Sequence, residues 1–150
     1  MSSAPGQHSL SNFGLLLRQV RDGLARRLEH ELTAGGHDLN LTQYLVLKHL
    51  AARGETTAIE LARHLDHNPG AMTRLLDRLQ AKGYVERRPH GADRRALLVS
   101  LTGEGRGMWE TLQACGRRAI GAALQGLSAD ETDALLRTLE RVRDNLSGAQ

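Results

Sequence analysis

Apolar residues near the start of the chain fall at Leu10, Phe13, Leu17, Val20, Leu24 and Leu28. Steps of three and four place them on one stripe of a helix, with Arg18, Arg21, Arg26 and Glu29 off it. Ala34-Gly35-Gly36 predicts where that helix ends. Asn40 followed by Gln43 reads as the capping box of a second helix, which carries Tyr44, Leu45, Leu47 and Leu50 and stops at Arg53-Gly54. Thr57 and Glu60 repeat the box for a short third helix with Ala58, Leu61, Ala62 and Leu65 on its buried face. After a break at Asp66-His67, Asn68 and Pro69 predict the start of a fourth helix, since proline at the first helical position loses no bonded N–H. Met72, Leu75, Leu76 and Leu79 give it a buried stripe, and Lys82-Gly83 closes it.

The period then changes. Tyr84–Arg88 reads as extended, and Leu97, Val99 and Leu101 alternate with Leu98 and Ser100, as in a strand. Two strands about a Pro/Gly loop predict a hairpin. A long helix follows from Thr102 to about Leu127, although Gly103, Gly105, Gly107, Gly116 and Gly121 each lower helix propensity by ~1 kcal/mol. Ser128 and Glu131 form another capping box, and a last helix carries Leu135, Leu139, Val142 and Leu146. The expected class is mainly α, α+β in detail: four helices, a hairpin and two helices.

Composition supports a helical protein whose core is filled by Leu and Ala, because only four of 150 residues are Phe, Trp or Tyr. No apolar run is long enough for a membrane span and no secretion signal is evident, so a cytoplasmic protein is expected. The net charge of +3 is unevenly spread. From Asn68 to Arg95, seven Lys/Arg stand against three acids, a local +4 that leaves −1 for the rest. Residues 87–95, RRPHGADRR, hold four of those arginines. Such crowding of like charge on one loop points to an anion docked there.

The third and fourth helices, three residues apart, fit a helix-turn-helix, in which the second helix presents its N-terminal side chains to the major groove. Asn68 begins that helix, Gly70 and Ala71 allow close backbone approach, and Thr73, Arg74 and Arg78 can bond bases or phosphates. The hairpin makes this the winged variant. Its tip, with Arg88, His90, Asp93, Arg94 and Arg95, would reach the adjacent minor groove, where a narrow groove attracts arginine. Asp93 would fix the guanidinium fork of Arg95. The expected partner is double-stranded DNA.

The stretch GAMTRLLDRLQAKGYVERRPHGADRRALLVSLTGEG resembles the signature of the MarR (multiple antibiotic resistance regulator) family. Its pieces are Thr73–Leu79, Lys82–Arg87, Asp93 with Arg95, and Leu101–Gly105; the helix order over 10–146 also matches. The resemblance implies a homodimeric winged-helix transcriptional regulator, probing a palindromic operator as a repressor. Dimerisation helices over 10–33 and 102–147 would intertwine with those of a second copy, around a winged helix-turn-helix over 39–101. Met108, Trp109, Leu112, Ile120, Leu124 and Leu127, with Leu135–Leu146, are then the expected dimer core. Release by a small aromatic carboxylate or phenolic effector is also implied. Arg18 and His49 are the ligand candidates in the cleft between dimer helices and winged domain, and the family's second site carries over to Thr73 and Arg87.

Other readings are weaker. The seven histidines form no ligand-like pattern with an acid on one helix face, so neither a metal nor any other cofactor is expected. No nucleophile–base pair suggests an enzyme. Cys115 as a redox sensor and a ligand-independent architectural DNA binder remain the alternatives. The first is disfavoured by an apolar mid-helix position, and the second would show little sequence preference.

Overall fold

The structure, a computed structural model, describes residues 10–91 and 93–148, with backbone alone over 93–95. The elements run α1 (Phe13–Ala34), α2 (Leu41–Arg53), β1 (Thr56–Thr57), α3 (Ala58–His64), α4 (Pro69–Ala81), β2 (Val85–His90), β3 (Asp93–Leu101), α5 (Gly103–Ala123) and α6 (Ala129–Ser147). The fold is mostly helical with a small antiparallel sheet, the winged-helix arrangement expected from the sequence.

The helix starts follow the residues that cap them. Asn40 accepts from the Gln43 N–H at 2.8 Å, and the Gln43 side chain accepts from the Asn40 N–H at 3.0 Å. Ser128 and Glu131 make the same reciprocal pair. Thr57 caps α3 by accepting from the Glu60 N–H at 3.2 Å, and the Glu60 carboxylate also accepts from the Thr56 hydroxyl. That bond, then the Thr57 backbone N–H, holds the Glu60 carboxyl below its usual range. Helix α2 ends at Gly54, whose φ of 77° favours a residue without Cβ.

The core draws Leu28 and Leu32 from α1, Val46, Leu47 and Leu50 from α2, and Leu61 from α3. The Met72, Leu75, Leu76 and Leu79 stripe of α4 is buried as predicted, each side chain contributing about 1.5–3 kcal/mol by leaving water. Val85, Val99, Leu101, Leu112, Cys115 and Ala119 complete the set. On α1 the expected stripe divides: Leu28 is buried, while Phe13, Leu17 and Val20 stay exposed. The long helix divides too. Met108, Trp109 and Leu112, expected in a dimer core, pack into the chain's own core, with the Trp109 ring 5.2 Å from that of Tyr44. Tyr44 supplies the apolar partner that a lone helix lacks.

The sheet has three strands rather than the predicted two, in the order β1-β3-β2. Thr56 pairs with Val99 and Thr57 with Leu98, while Arg87 and Arg88 face the same two residues from the other side. A two-residue strand is too short to print a period in the sequence.

Helix α5 runs unbroken through its glycines, and close approach explains two of them. A Cβ on Gly105 would collide with the Tyr84 carbonyl, and one on Gly116 with the Tyr44 hydroxyl. Contacts group the chain into two compact units, one up to Ala119 and one from Ile120. Helix α1 and most of α5 thus share a unit with the winged helix-turn-helix. They are tied to each other by Arg118, whose Nε donates to Glu31 at 2.8 Å. In the second unit no residue of α6 is buried, and Leu135, Leu136, Leu139 and Leu146 are exposed.

Candidate nucleic-acid interface

The turn between α3 and α4 is built by local bonds. The His67 N–H donates to the Ala62 carbonyl at 2.8 Å, and Asp66 takes a positive φ of 50°. Asn68 follows in an extended conformation, and its Oδ1 accepts from the N–H groups of Gly70 and Ala71 at 2.9 and 3.1 Å. Asn68, predicted as a DNA contact, therefore has its side-chain oxygen committed to the cap. Gly70 sits tightly against that cap, with 3.2 Å from a would-be Cβ to Oδ1.

From this start α4 turns Met72, Leu75, Leu76 and Leu79 inward, so Gly70, Thr73, Arg74, Asp77 and Arg78 are exposed and Ala71 is half-buried. The Thr73 hydroxyl donates to the Pro69 carbonyl at 3.1 Å. Among the described residues neither Arg74 nor Arg78 makes an ion pair, which leaves both guanidinium groups free for an outside anion. Thr73, Asp77 and Gln80 stand at i, i+4 and i+7, on one face. Arg87 of β2 lies on that face, paired with Asp77 and donating from Nε to Gln80 at 2.9 Å. Thr73 and Arg87, predicted together as ligand residues, thus share the α4–β2 face, with Arg87 already engaged.

On the wing, Arg88 pairs with Glu55 of the loop before β1, and His90 is exposed beside a turn at Gly91, where φ is 53°. The ladder is irregular between Pro89 and His90, and His90 faces Asp93 in the register. The side chains of Asp93, Arg94 and Arg95 lie outside the described residues; their backbone belongs to β3.

A cavity of about 190 Å³ separates the first turn of α2 from α4. Asn40, Thr42, Gln43, His67, Arg74 and Arg78 line it, with no carboxylate among them. Sequence reasoning missed Thr42 and His67, since neither lies in a motif. A second cavity, about 560 Å³, opens between α2, β3 and α5. Its floor includes Leu50, Leu101 and Trp109, and Arg106, Glu55 and Glu110 stand around it. Arg106 donates to the Leu101 carbonyl at 3.3 Å.

The remaining ligand candidates are not brought together. Arg18 is exposed on α1. His49 is half-buried on α2, its ring 4.4 Å from that of His64. Burial first, then the neighbouring His64 and Arg53, lowers its pKa, with Glu60 opposing. A lowered pKa disfavours the charged imidazole that would pair with a carboxylate. Cys115 is buried, with the Arg118 Nη2 3.3 Å from its sulfur. Among the described residues no group of three His, Cys, Asp or Glu is placed to hold a metal. No described helix is long and apolar enough to cross a membrane.

The family model described as "MarR family" matches residues 37–96. The multiple antibiotic resistance protein MarR of Salmonella typhimurium is 37% identical over 130 residues, covering 86% of this chain and 89% of its own length. MarR of Escherichia coli is 35% identical over the same length. Among solved structures, a mutant MarR from E. coli complexed with operator DNA superposes with a TM-score of 0.77 at 33% identity, covering 93% of this chain and 99% of that one.

Proposed function

We propose that this chain, which belongs to the MarR family of transcriptional regulators and is not an enzyme, works as a homodimeric repressor on a palindromic operator. A small aromatic effector releases it. The α3–α4 pair carries this reading: Asn68 and Pro69 start α4 so that Thr73, Arg74 and Arg78 face outward together. In this reading α4 enters the major groove, and the wing with Arg88, His90, Arg94 and Arg95 reaches the minor groove. The mutant E. coli MarR that superposes on this chain is itself complexed with operator DNA.

Dimerisation is supported by apolar surface that the chain leaves uncovered on α1 and α6. For the effector, the 560 Å³ cavity offers an apolar floor with Trp109, and Arg106 as a cation at its edge. Glu55 there is paired with Arg88, and Glu110 is a second carboxylate at the edge. An aromatic carboxylate or phenol would meet the Trp109 ring and Arg106 here, whereas the lowered pKa of His49 disfavours its charged form. The alternative at Thr73 and Arg87 requires the effector to displace Asp77. A redox switch at Cys115 finds little support, because a buried thiol is shielded from oxidants.

The test is selection of duplexes from a random pool, followed by anisotropy titration. A two-fold-symmetric consensus with half-sites about 10 bp apart, bound at least ~10³-fold more tightly than random duplex, is the expected result. An asymmetric consensus rejects the dimeric reading, and equal affinity for random DNA leaves an architectural binder. Salicylate, as a probe, should quench Trp109 and weaken the specific complex.

A further inference from the structure

The cavity between α2 and α4 differs from the rest of the docking face, because two arginines and a histidine converge on it from two directions. Arg74 and Arg78 stand one turn apart on α4, and His67 comes from the turn before it. The opposite wall is the first turn of α2, where the mutual bonds of Asn40 and Gln43 fix the backbone and leave the Thr42 side chain at the cavity. An adjoining cavity shares Asn40, Gln43 and Arg78 and adds Asp38, but Lys82 pairs with that carboxylate at 3.3 Å. The fixed charges in the lining of the smaller cavity are therefore the two guanidinium groups of Arg74 and Arg78, with no carboxylate beside them.

We propose that this cavity is a seat for one backbone phosphate of duplex DNA. Arg78 and Arg74 supply the charge, and Thr42 and His67 supply further hydrogen bonds. The inference rests on the DNA-binding reading and adds to it. It commits Arg78 to the backbone rather than to a base edge, and it assigns a binding role to two residues outside the recognition helix. A cavity of about 190 Å³ has room for a tetrahedral anion. A phosphate held between α2 and α4 fixes how deeply α4 enters the groove, as backbone contacts position a protein without reading sequence.

Because a phosphate contact is blind to sequence, the experiment needs no operator. Mixed-sequence duplex is titrated by anisotropy at several salt concentrations, with circular dichroism to confirm folding. For Arg78→Ala the slope of log K against log salt should become shallower by about 0.9 per bound protomer. Thr42→Val should weaken binding by about 3–10-fold at unchanged slope, because it removes no charge, and His67→Ala should weaken it by a similar factor. Thr42→Val should add little in the Arg78→Ala background, since both act on one phosphate. Arg137→Ala, on α6, is the control and should change nothing. An unchanged slope in Arg78→Ala, a penalty that varies with DNA sequence, or additive effects of Thr42 and Arg78 overturns the proposal. Wild-type protein that binds no duplex with a steep salt dependence overturns the DNA-binding reading itself, which is a separate outcome.

Discussion

Arg87, on the first strand of the wing, is ion-paired with Asp77 on the exposed face of α4 and also donates to Gln80 one turn further on. One guanidinium thereby joins α4 to the wing, the two elements that the proposed reading places on DNA. Its side chain is only 18% exposed, against 57% for Asp77, so the arginine is the anchored member. A planar fork that bonds two acceptors at once holds orientation as well as charge.

A double-mutant cycle of Asp77→Ala and Arg87→Ala should therefore show a coupling of about 0.5–1 kcal/mol in urea unfolding, modest because Asp77 is solvated. Arg87→Lys should recover less than half of it, since an ammonium cannot bond both partners in a plane. A coupling indistinguishable from zero means that the wing is not tied to α4 by this pair.

Two glycines of α5 should respond in opposite ways to the same substitution. Around Gly107 a new Cβ meets nothing within 4 Å, so Gly107→Ala should stabilise by about 0.5–1 kcal/mol through helix propensity alone. At Gly105 the Cβ would overlap the Tyr84 carbonyl, which is backbone and already accepts from the Thr102 N–H at 3.1 Å. Gly105→Ala should destabilise by about 1–3 kcal/mol despite the propensity gain. Thermal unfolding of both variants checks the pair, and stabilisation by Gly105→Ala would mean that α5 does not approach Tyr84 this closely.

The contrast between those glycines also marks what the sequence conceals. Caps at Asn40, Asn68 and Ser128 and the stripe on α4 were legible because they depend on neighbours within a turn or two. The reason for Gly105 lies in Tyr84, and the reason for Gly116 in Tyr44, far along the chain. The partners of Arg87 and Arg88 were hidden for the same cause: Asp77 and Glu55 meet them only once the sheet has formed. The apolar stripe of α5 was legible as a stripe. Its division between own core and open surface was not, because one period serves both. His67 and Thr42 carried no signal at all until the α2–α4 cavity placed them beside Arg74 and Arg78.

Glu31 couples α1 to α5 in a pH-dependent way. A hydrogen bond from Arg118 is the largest cause that lowers its carboxyl pKa below 4.5; burial opposes it, and the charges of Arg118 and Arg27 add to the lowering. A carboxyl with a depressed folded pKa contributes stability that is fully present above its unfolded value and is lost as pH falls through the folded one. Wild type should therefore exceed Glu31→Gln in stability at pH 7, and the gap should close below about pH 4.5, the ordinary value. Urea midpoints of both proteins from pH 7 down to pH 3 test this. A gap independent of pH would mean that the carboxylate charge is not what matters.

Leu16 and Val20 on α1 are 59% and 50% exposed, and Leu136 and Leu146 on α6 are 52% and 70% exposed. Isolated exposed leucines are ordinary, but a run at helical spacing gives each of these two helices its own apolar face that water disfavours. Sedimentation at micromolar concentration should find a dimer, and Leu16→Glu combined with Leu139→Glu should shift it to monomer. A folded wild-type species at the 16.4 kDa chain mass excludes the dimer.

Arg95 gives the sharpest test of the wing. It lies on β3 close to the turn at Gly91, at the end of a hairpin that β1 braces from the side opposite β2. Of the four arginines in the basic loop, Arg87 and Arg88 are paired with Asp77 and Glu55 of the same chain, and Arg94 and Arg95 are the two that the proposed reading assigns to an outside anion. If Arg95 enters the minor groove, its removal forfeits about 1–3 kcal/mol per protomer, felt twice in a dimer. Operator affinity of Arg95→Ala should then fall by about two orders of magnitude or more, with the dimer still folded. If Asp93 orients Arg95, as the sequence leads one to expect, Asp93→Ala should be a milder copy that leaves the arginine in place. Arg137→Ala, on α6, should have almost no effect. Anisotropy titrations of the three variants at one salt concentration, on the selected duplex, decide the matter. Wild-type affinity in a folded Arg95→Ala protein would mean that the wing carries no DNA contact at this position, leaving α4 and the phosphate seat to account for binding alone.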